Sequence, residues 1–207
     1  MLRAQYFGPL GDKNYQVYAS DIHDSGAQLL ALINDILDIS AIEAGKRPMA
    51  KEAINIDELL GNCIKNFEHQ ARDGGIELAL EISEGLPFLY VDKRSAMQIF
   101  LNLLSNAIKF TEREGEITVS AIAADQHMII RVSDTGVGIS PDNLPSITEP
   151  FSQGHSDPHV TQNGTGLGLS IVESLVDAND GELNIESEVG KGTIVSVTFP
   201  IQKPATD

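Results

Sequence analysis

The chain has 207 residues, and its 30 acidic residues outnumber its 14 Lys and Arg residues, so the formal net charge is −16. A charge this negative argues against nucleic acid or an anionic membrane surface as the main partner, because both are polyanions. The single cysteine, Cys63, excludes an internal disulfide framework and a multi-cysteine zinc site. The sequence has no apolar run of membrane-spanning length and no signal-peptide pattern, which predicts a cytoplasmic chain.

A long amphipathic helix is predicted from Lys13 to about Gly45. Ile22, Leu29 and Ile36 recur every seven residues, and other apolar residues fill in around them. A single helix cannot bury such a stripe by itself. We therefore expect a partner helix or a second chain to cover it, in preference to the rest of this chain.

The remaining sequence alternates pairs of short strands with helices, which predicts an α+β fold with helices on one face of a mixed sheet. Asp57 is the predicted N-cap of the first helix of this region and Asp92 precedes the second. An extended link is expected at 53–56, and the irregular segment 136–166 is long enough to suggest a functional loop. The predicted helices cover 57–72, 93–109 and 167–178, and the predicted strands cover 76–82, 88–91, 116–123, 128–133, 182–187 and 193–199.

Two amide side chains share one face of the helix predicted at 93–109. Asn102 and Asn106 are four residues apart, and Lys109 extends this polar stripe by another turn. Amide oxygens beside a cation suit a metal–phosphate site, because Mg²⁺ prefers oxygen ligands and shares them with phosphates. Taken alone, the pair is more often a solvent-facing or capping pair of asparagines.

Three glycine-rich segments follow. Asp134 ends a predicted strand and precedes Gly136 and Gly138, so a carboxylate and a sharply turning backbone could approach a planar ligand with an exocyclic amine. The sequence GTGLGL begins at Gly164 and leads into a helix, where unpaired N–H groups favour phosphate. The sequence GKGT begins at Gly190 and by itself is typical of an ordinary hairpin turn.

In order, the segments NLLSNAIKF, DTGVGI, EPF, GTGLGLSIV and GKGT resemble the nucleotide-binding boxes of sensor histidine kinases. The resemblance covers almost the whole chain. The sequence SAIEAGK at the end of the first helix is similar to the end of the second helix of the dimerisation and histidine-phosphotransfer domain, and YFGPLG is similar to the loop before that helix. The FGPLG and IHDSG segments resemble the cell-cycle kinases of the DivJ, PleC, PdhS and DivL group.

This resemblance implies the two-layer α/β sandwich of histidine kinases, Hsp90 and gyrase, preceded by one long helix of a truncated dimerisation domain. The implied domains are 1–48 for the loop and helix, 53–201 for the ATP-binding catalytic domain, and 202–207 for a tail. The implied cofactors are ATP and Mg²⁺, with Asn106 as the metal ligand. The residues that the resemblance assigns to ATP binding are Asn102, Asn106, Lys109, Phe110, Asp134, Gly136, Gly138, Ile139, Phe151, Gly164, Thr165, Gly166, Leu167, Gly168 and Thr193.

The resemblance also assigns roles within this set. Asp134 would take the adenine amine, Lys109 would meet the phosphates, and the segment from about Glu149 to Thr165 would be the ATP lid. In the ATPase relatives, a water-activating Glu lies four residues before the metal Asn, and Asn102 at that position cannot act as a base. This fits phosphate transfer to a protein better than hydrolysis.

The phosphoacceptor box of these kinases, a His followed by an acid and then RTP, is absent, so no catalytic residue is assigned. His23 lies after the resembled loop and is interpreted as a surface histidine. We expect the chain to be part of a longer kinase that is membrane-attached or cytoplasmic. No Lys or Arg occurs between Glu149 and Lys191, which predicts modest ATP affinity.

The leading hypothesis is thus the ATP-binding part of a protein-histidine kinase of a two-component system, with a response regulator as partner. We expect the chain to self-associate through its N-terminal helix, and we do not expect nucleic acid as a partner. One alternative is a pseudokinase, a regulatory scaffold that binds ATP or a partner without histidine autophosphorylation. A free-standing gyrase-type ATPase is disfavoured by Asn102.

Overall fold

The computed structural model describes residue 5, residue 11 and residues 13–43, 49–152 and 166–201. Several predictions made above therefore fall outside the described residues. They are the loop at 6–10, the end of the first helix at 44–48, most of the expected lid at 153–165 together with Gly164 and Thr165, and the tail at 202–207.

A five-stranded mixed sheet forms one layer of the fold. Its strand order is β2-β4-β5-β7-β6, in which β2 and β4 are parallel and the other neighbours are antiparallel. The predicted mixed sheet is confirmed. The strands are β2 Glu77–Ile82, β4 Glu116–Ala124, β5 His127–Asp134, β6 Glu182–Glu188 and β7 Gly192–Pro200.

One face of this sheet carries the core, because its strands alternate apolar and polar residues with period two. The alternation is cleanest in β5, where Met128, Ile130 and Val132 are buried and Arg131 is exposed. The neighbouring strands add further buried side chains on the same face: Ile117, Val119, Ala121, Val195, Val197 and Phe199. The helices of the second layer pack on this face, as predicted.

Among the described residues, four α-helices follow the long N-terminal one: α2 Ile56–Lys65, α3 Glu68–Gly74, α4 Lys93–Phe110 and α5 Gly168–Ala178. Asp92 caps α4, as expected, by accepting a hydrogen bond from the Ser95 N–H at 2.8 Å. The prediction of one helix over 57–72 was wrong. Two helices occur there, and the N-cap of the first is Asn55, whose side chain accepts from the N–H groups of Asp57 and Glu58.

A second, two-stranded sheet lies beside the start of α4. It pairs β1 Lys51–Ile54 antiparallel with β3 Leu89–Asp92, so that Ile54 lies opposite Leu89. The segment expected to be an extended link at 53–56 is extended as far as Asn55, but 51–54 forms a paired strand and Ile56 begins α2. Four residues without clear alternation carried too little signal to predict a strand whose partner lies far along the chain.

The N-terminal helix α1 spans Lys13–Glu43, as predicted. Its backbone approaches α5, so part of it lies on the rest of this chain, which is the arrangement we considered less favoured. Even so, Ile22, Leu29 and Ile36 of the seven-residue repeat remain exposed. Within the described ranges, no helix is both long and apolar enough to cross a membrane.

Candidate functional site

Polar side chains replace the apolar ones at one end of the inner sheet face. Asp134 ends β5 after buried Val132, and Thr193 is the second residue of β7, before Val195. The strand register sets Asp134 opposite Thr193 and Thr193 opposite Ser187 of β6. Directly opposed residues of antiparallel strands point to the same face. Three polar side chains therefore form a row across three strands, which we call the polar row.

Asp134 is half-buried and is held by backbone donors. Its Oδ1 accepts hydrogen bonds from the N–H of Gly136 at 2.9 Å and of Thr193 at 3.2 Å. Burial raises the pKa of this carboxyl above its usual value, and the two backbone hydrogen bonds partly oppose that rise. Both bonds end on the same oxygen, so the carboxylate is fixed in orientation and can still accept a further donor.

Ser187 is a site residue that sequence reasoning missed. Its hydroxyl lies 2.8 Å from the Ile139 N–H, 2.9 Å from the Gly192 carbonyl oxygen and 2.8 Å from the Thr193 hydroxyl. It thereby ties the glycine loop after β5 to the first two residues of β7. The sequence held one signal: Leu183 and Ile185 alternate on the inner face of β6, and the next inward position is a serine.

Glycines allow the backbone segments around the polar row to approach closely. A Cβ on Gly136 would run into the carbonyl oxygen of Phe110, and a Cβ on Gly138 into that of Glu188. The Val137 N–H donates to the Phe110 carbonyl at 3.1 Å, so the loop is bonded to the end of α4. Both glycines predicted to shape this loop are thus required there by steric contact.

The two asparagines of α4 face the first residue of α5, which confirms that they share one helical face. Asn102 Nδ2 donates to the Gly168 carbonyl oxygen at 3.4 Å. A Cβ on Gly168 would lie 3.6 Å from Nδ2 and 3.9 Å from Oδ1 of Asn106. Asn106 is half-buried. Because it lies close to Gly168, its amide is at the N-terminal end of α5, where helix N–H groups have no intrahelical partner.

Lys109 and Phe110 end α4 on the side of the glycine loop. The Lys109 Nζ atom lies 4.5 Å from the centre of the Phe110 ring, within cation–π range. Partial burial lowers the pKa of Lys109. This pair places one cation at the C-terminal end of α4, and the last carbonyl of that helix is bonded to the loop after Asp134.

Phe151 and Gly166 join the two ends of the segment predicted to be a lid. The Phe151 N–H donates to the Gly166 carbonyl at 3.0 Å, and both residues have positive φ. The Phe151 side chain is 63% exposed, whereas Leu167 is fully buried and anchors the start of α5. The structure thus brings Gly168 to the asparagine face of α4, joins Gly166 to Phe151 and leaves the Phe151 ring at the surface.

A metal ion at this site would depend on amide oxygens. The described residues contain no group of three or more His, Cys, Asp or Glu side chains that could hold an ion. Asn106 offers one hard oxygen near the N-terminus of α5. That donor fits Mg²⁺ when a bound ligand and water supply the remaining oxygens, and does not fit zinc.

The fold and the site together point to one class of protein. The fold is a mixed sheet with helices on one face, and the site combines glycine loops with a pair of asparagines. Residues 91–203 match the family model described as "Histidine kinase-, DNA gyrase B-, and HSP90-like ATPase", and the chain belongs to this family. The resemblance to histidine kinases stated above is confirmed.

Individual relatives narrow the class. The chain is 43% identical over 202 residues to the non-motile and phage-resistance protein of Caulobacter vibrioides and 41% identical over 201 residues to histidine protein kinase DivJ of the same organism. The matches cover 96% and 97% of this chain but only 24% and 33% of those proteins. The likeness to the cell-cycle group of histidine kinases is therefore confirmed, and the pseudokinase alternative is not favoured.

One solved structure is similar to this chain over its whole length. Full-length ShkA in complex with AMPPNP superposes with a TM-score of 0.83 at 31% identity, and the match covers 100% of this chain and 42% of that one.

Proposed function

We propose that this chain is the ATP-binding catalytic part of a sensor histidine kinase. The observation that carries the proposal is the fixed Asp134 carboxylate, which backbone N–H groups hold at a half-buried sheet end beside Gly136 and Gly138. An ionised carboxylate in such a place accepts a hydrogen bond from an exocyclic amine such as that of adenine. Ile139 and Thr193, which share the Ser187 hydroxyl, would complete this end of the pocket.

The phosphate end of the ligand would lie where α4 meets α5. Gly164, Thr165 and Gly166 would lead into the N-terminus of α5, whose N–H groups and dipole favour phosphate. Lys109 supplies positive charge, and Asn106 would hold Mg²⁺, which neutralises phosphate charge when it is bound. Phe110 would line the base side and Phe151 would belong to the lid that covers the ligand.

The proposed reaction is transfer of the ATP γ-phosphoryl group to a histidine, followed by relay to an aspartate of a response regulator. This chain contributes positioning and charge stabilisation more than a base, because Asn102 stands where an ATPase would need a Glu. Asn102 instead donates to Gly168, and this bond would set the distance between the two helices that flank the phosphates. The domain division at 48 and 53 belongs to the same proposal.

We further propose that the exposed apolar side chains of α1 support self-association. Ile22, Leu29 and Leu30 are each more than half exposed, and such a surface is unusual for a monomer. Light scattering over a concentration series should show a dimer, and a monomer at the highest concentration would contradict this part of the proposal.

Calorimetric titration with Mg-ATP and Mg-ADP tests the nucleotide site. We expect the unaltered chain to bind both with modest affinity, since no Lys or Arg occurs between Glu149 and Lys191. Asp134→Asn should abolish binding, because its amide can still accept the two backbone N–H bonds but presents an NH₂ group to the ligand amine. Asp142→Asn, at an exposed carboxylate, is the control. Absence of binding to the unaltered chain would overturn the proposal.

A further inference from the structure

The Ser187 hydroxyl has three polar neighbours, and its single proton limits how they can be shared. The Gly192 carbonyl oxygen can only accept, so the bond at 2.9 Å uses the Ser187 proton. The Ile139 N–H can only donate, so it takes one lone pair of Ser187 Oγ at 2.8 Å. The contact of 2.8 Å to the Thr193 hydroxyl is then a hydrogen bond only if Thr193 donates it.

These three contacts determine whether the Thr193 hydroxyl donates or accepts toward a ligand. Its hydroxyl proton points to Ser187, so toward any other group the Thr193 oxygen acts only as an acceptor, through its two lone pairs. In the same row, the Asp134 carboxylate is also an acceptor, and its Oδ2 makes no hydrogen bond with another described residue. Where two neighbouring acceptors both face the 6-substituent of a purine, they favour an amino donor at that position and disfavour a carbonyl oxygen.

We propose that Ser187 is a positioning residue that fixes the Thr193 hydroxyl as a hydrogen-bond acceptor, and that it thereby sets a preference for 6-amino over 6-oxo purine nucleotides. This inference rests on the proposed nucleotide site. Without the Ser187 hydroxyl, the Thr193 hydroxyl can rotate and donate to a 6-oxo group. Discrimination is then left to Asp134 alone.

The test compares the dissociation constants of Mg-ATP and Mg-GTP for the unaltered chain and for Ser187→Ala. We expect the ratio of the two affinities to fall by about tenfold, which is the size of one well-placed hydrogen bond. Ser187→Thr keeps the hydroxyl and should restore the ratio. Ser196→Ala, on the opposite face of the same sheet, is the matched control and should leave it unchanged.

A double substitution separates positioning from general loosening of the site. In a Thr193→Val background no hydroxyl remains to be oriented, so Ser187→Ala should cause no further change in the ATP-to-GTP ratio. The proposal is overturned if Ser187→Ala weakens ATP and GTP equally, or if it changes the ratio as much in the Thr193→Val background. If the unaltered chain binds ATP but Ser187→Ala has no effect, only this inference fails. If it binds neither nucleotide, the proposed function fails as well.

Discussion

The Asn179 side chain joins the far ends of the two helices that flank the candidate site. Its Oδ1 accepts from the Asp92 N–H at 2.9 Å, at the start of α4, and its Nδ2 donates to the Leu175 carbonyl at 2.8 Å, near the end of α5. Both Asn179 and Asp92 are buried. The Asp92 carboxylate also accepts from the Ala50 N–H at 3.0 Å, so the segment that leads from α1 is bonded to the same point.

We expect Asn179→Ala to destabilise the chain by about 2 kcal/mol, because it removes two buried hydrogen bonds, one from the Asp92 N–H and one to the Leu175 carbonyl. Asn184→Ala, at an exposed position of β6 where the amide bonds only locally to Glu186, should cost less than about 0.5 kcal/mol. Urea unfolding followed by circular dichroism measures both. Equal effects of the two substitutions would contradict a structural role for the Asn179 bonds.

Two glycines with similar backbone angles separate steric contact from backbone strain. Gly138 has φ +69° and Gly190 has φ +77°, but a Cβ at Gly138 would collide with the Glu188 carbonyl, whereas nothing lies within 4 Å of a Cβ at Gly190. We expect Gly190→Ala to cost about 1 kcal/mol from the left-handed conformation alone. Gly138→Ala should cost about 3 kcal/mol, because overpacking adds to the same strain. Chemical unfolding of both variants measures the difference, and similar values would contradict the contact.

Lys109 should make ATP binding depend on pH. Burial lowers the pKa of this ammonium group, so as the pH rises it loses its charge earlier than an ordinary lysine would. We expect ATP affinity to fall in the alkaline range while adenosine affinity stays constant, because only the phosphates need the cation. Calorimetry over a pH series measures this. Lys109→Gln should remove the alkaline fall, and Lys93→Gln, at the exposed start of α4, should not.

The ionised Asp134 side chain, which the proposed nucleotide site needs, should lower the free energy of unfolding at neutral pH. Its raised pKa means that the folded chain holds the proton more tightly than the unfolded chain does. The protonated Asp134 carboxyl therefore adds to the free energy of unfolding. This contribution is complete below the pKa that Asp134 has in the unfolded chain, and it is lost as the pH rises through the pKa that Asp134 has in the folded chain. At neutral pH, Asp134→Asn should therefore unfold at the same or a higher temperature, and this advantage should shrink on acidification. Thermal unfolding at two pH values measures it, and a lower unfolding temperature at neutral pH would contradict the assignment.

The sequence by itself determined the parts of this protein whose signals are local. The 31-residue helix α1 follows from a sustained apolar period, and the helix that carries Asn102 and Asn106 follows from its cap at Asp92 and its spacing. The glycine segments and the asparagine pair, met in order, were enough to identify the family. Each motif alone is common, but their order along the chain is specific, so the series identifies the family before the arrangement of the motifs in space is known.

Only the tertiary structure decided which distant groups meet. β1 pairs with β3 across about 40 residues of chain, and the register that sets Asp134, Thr193 and Ser187 side by side involves three separate strands. Ser187 carries no motif, so its part in the site depends on hydrogen bonds that exist only in the folded sheet. The approach of α1 to α5 is likewise decided by packing, because an apolar stripe indicates a surface suited to contact but does not specify its partner.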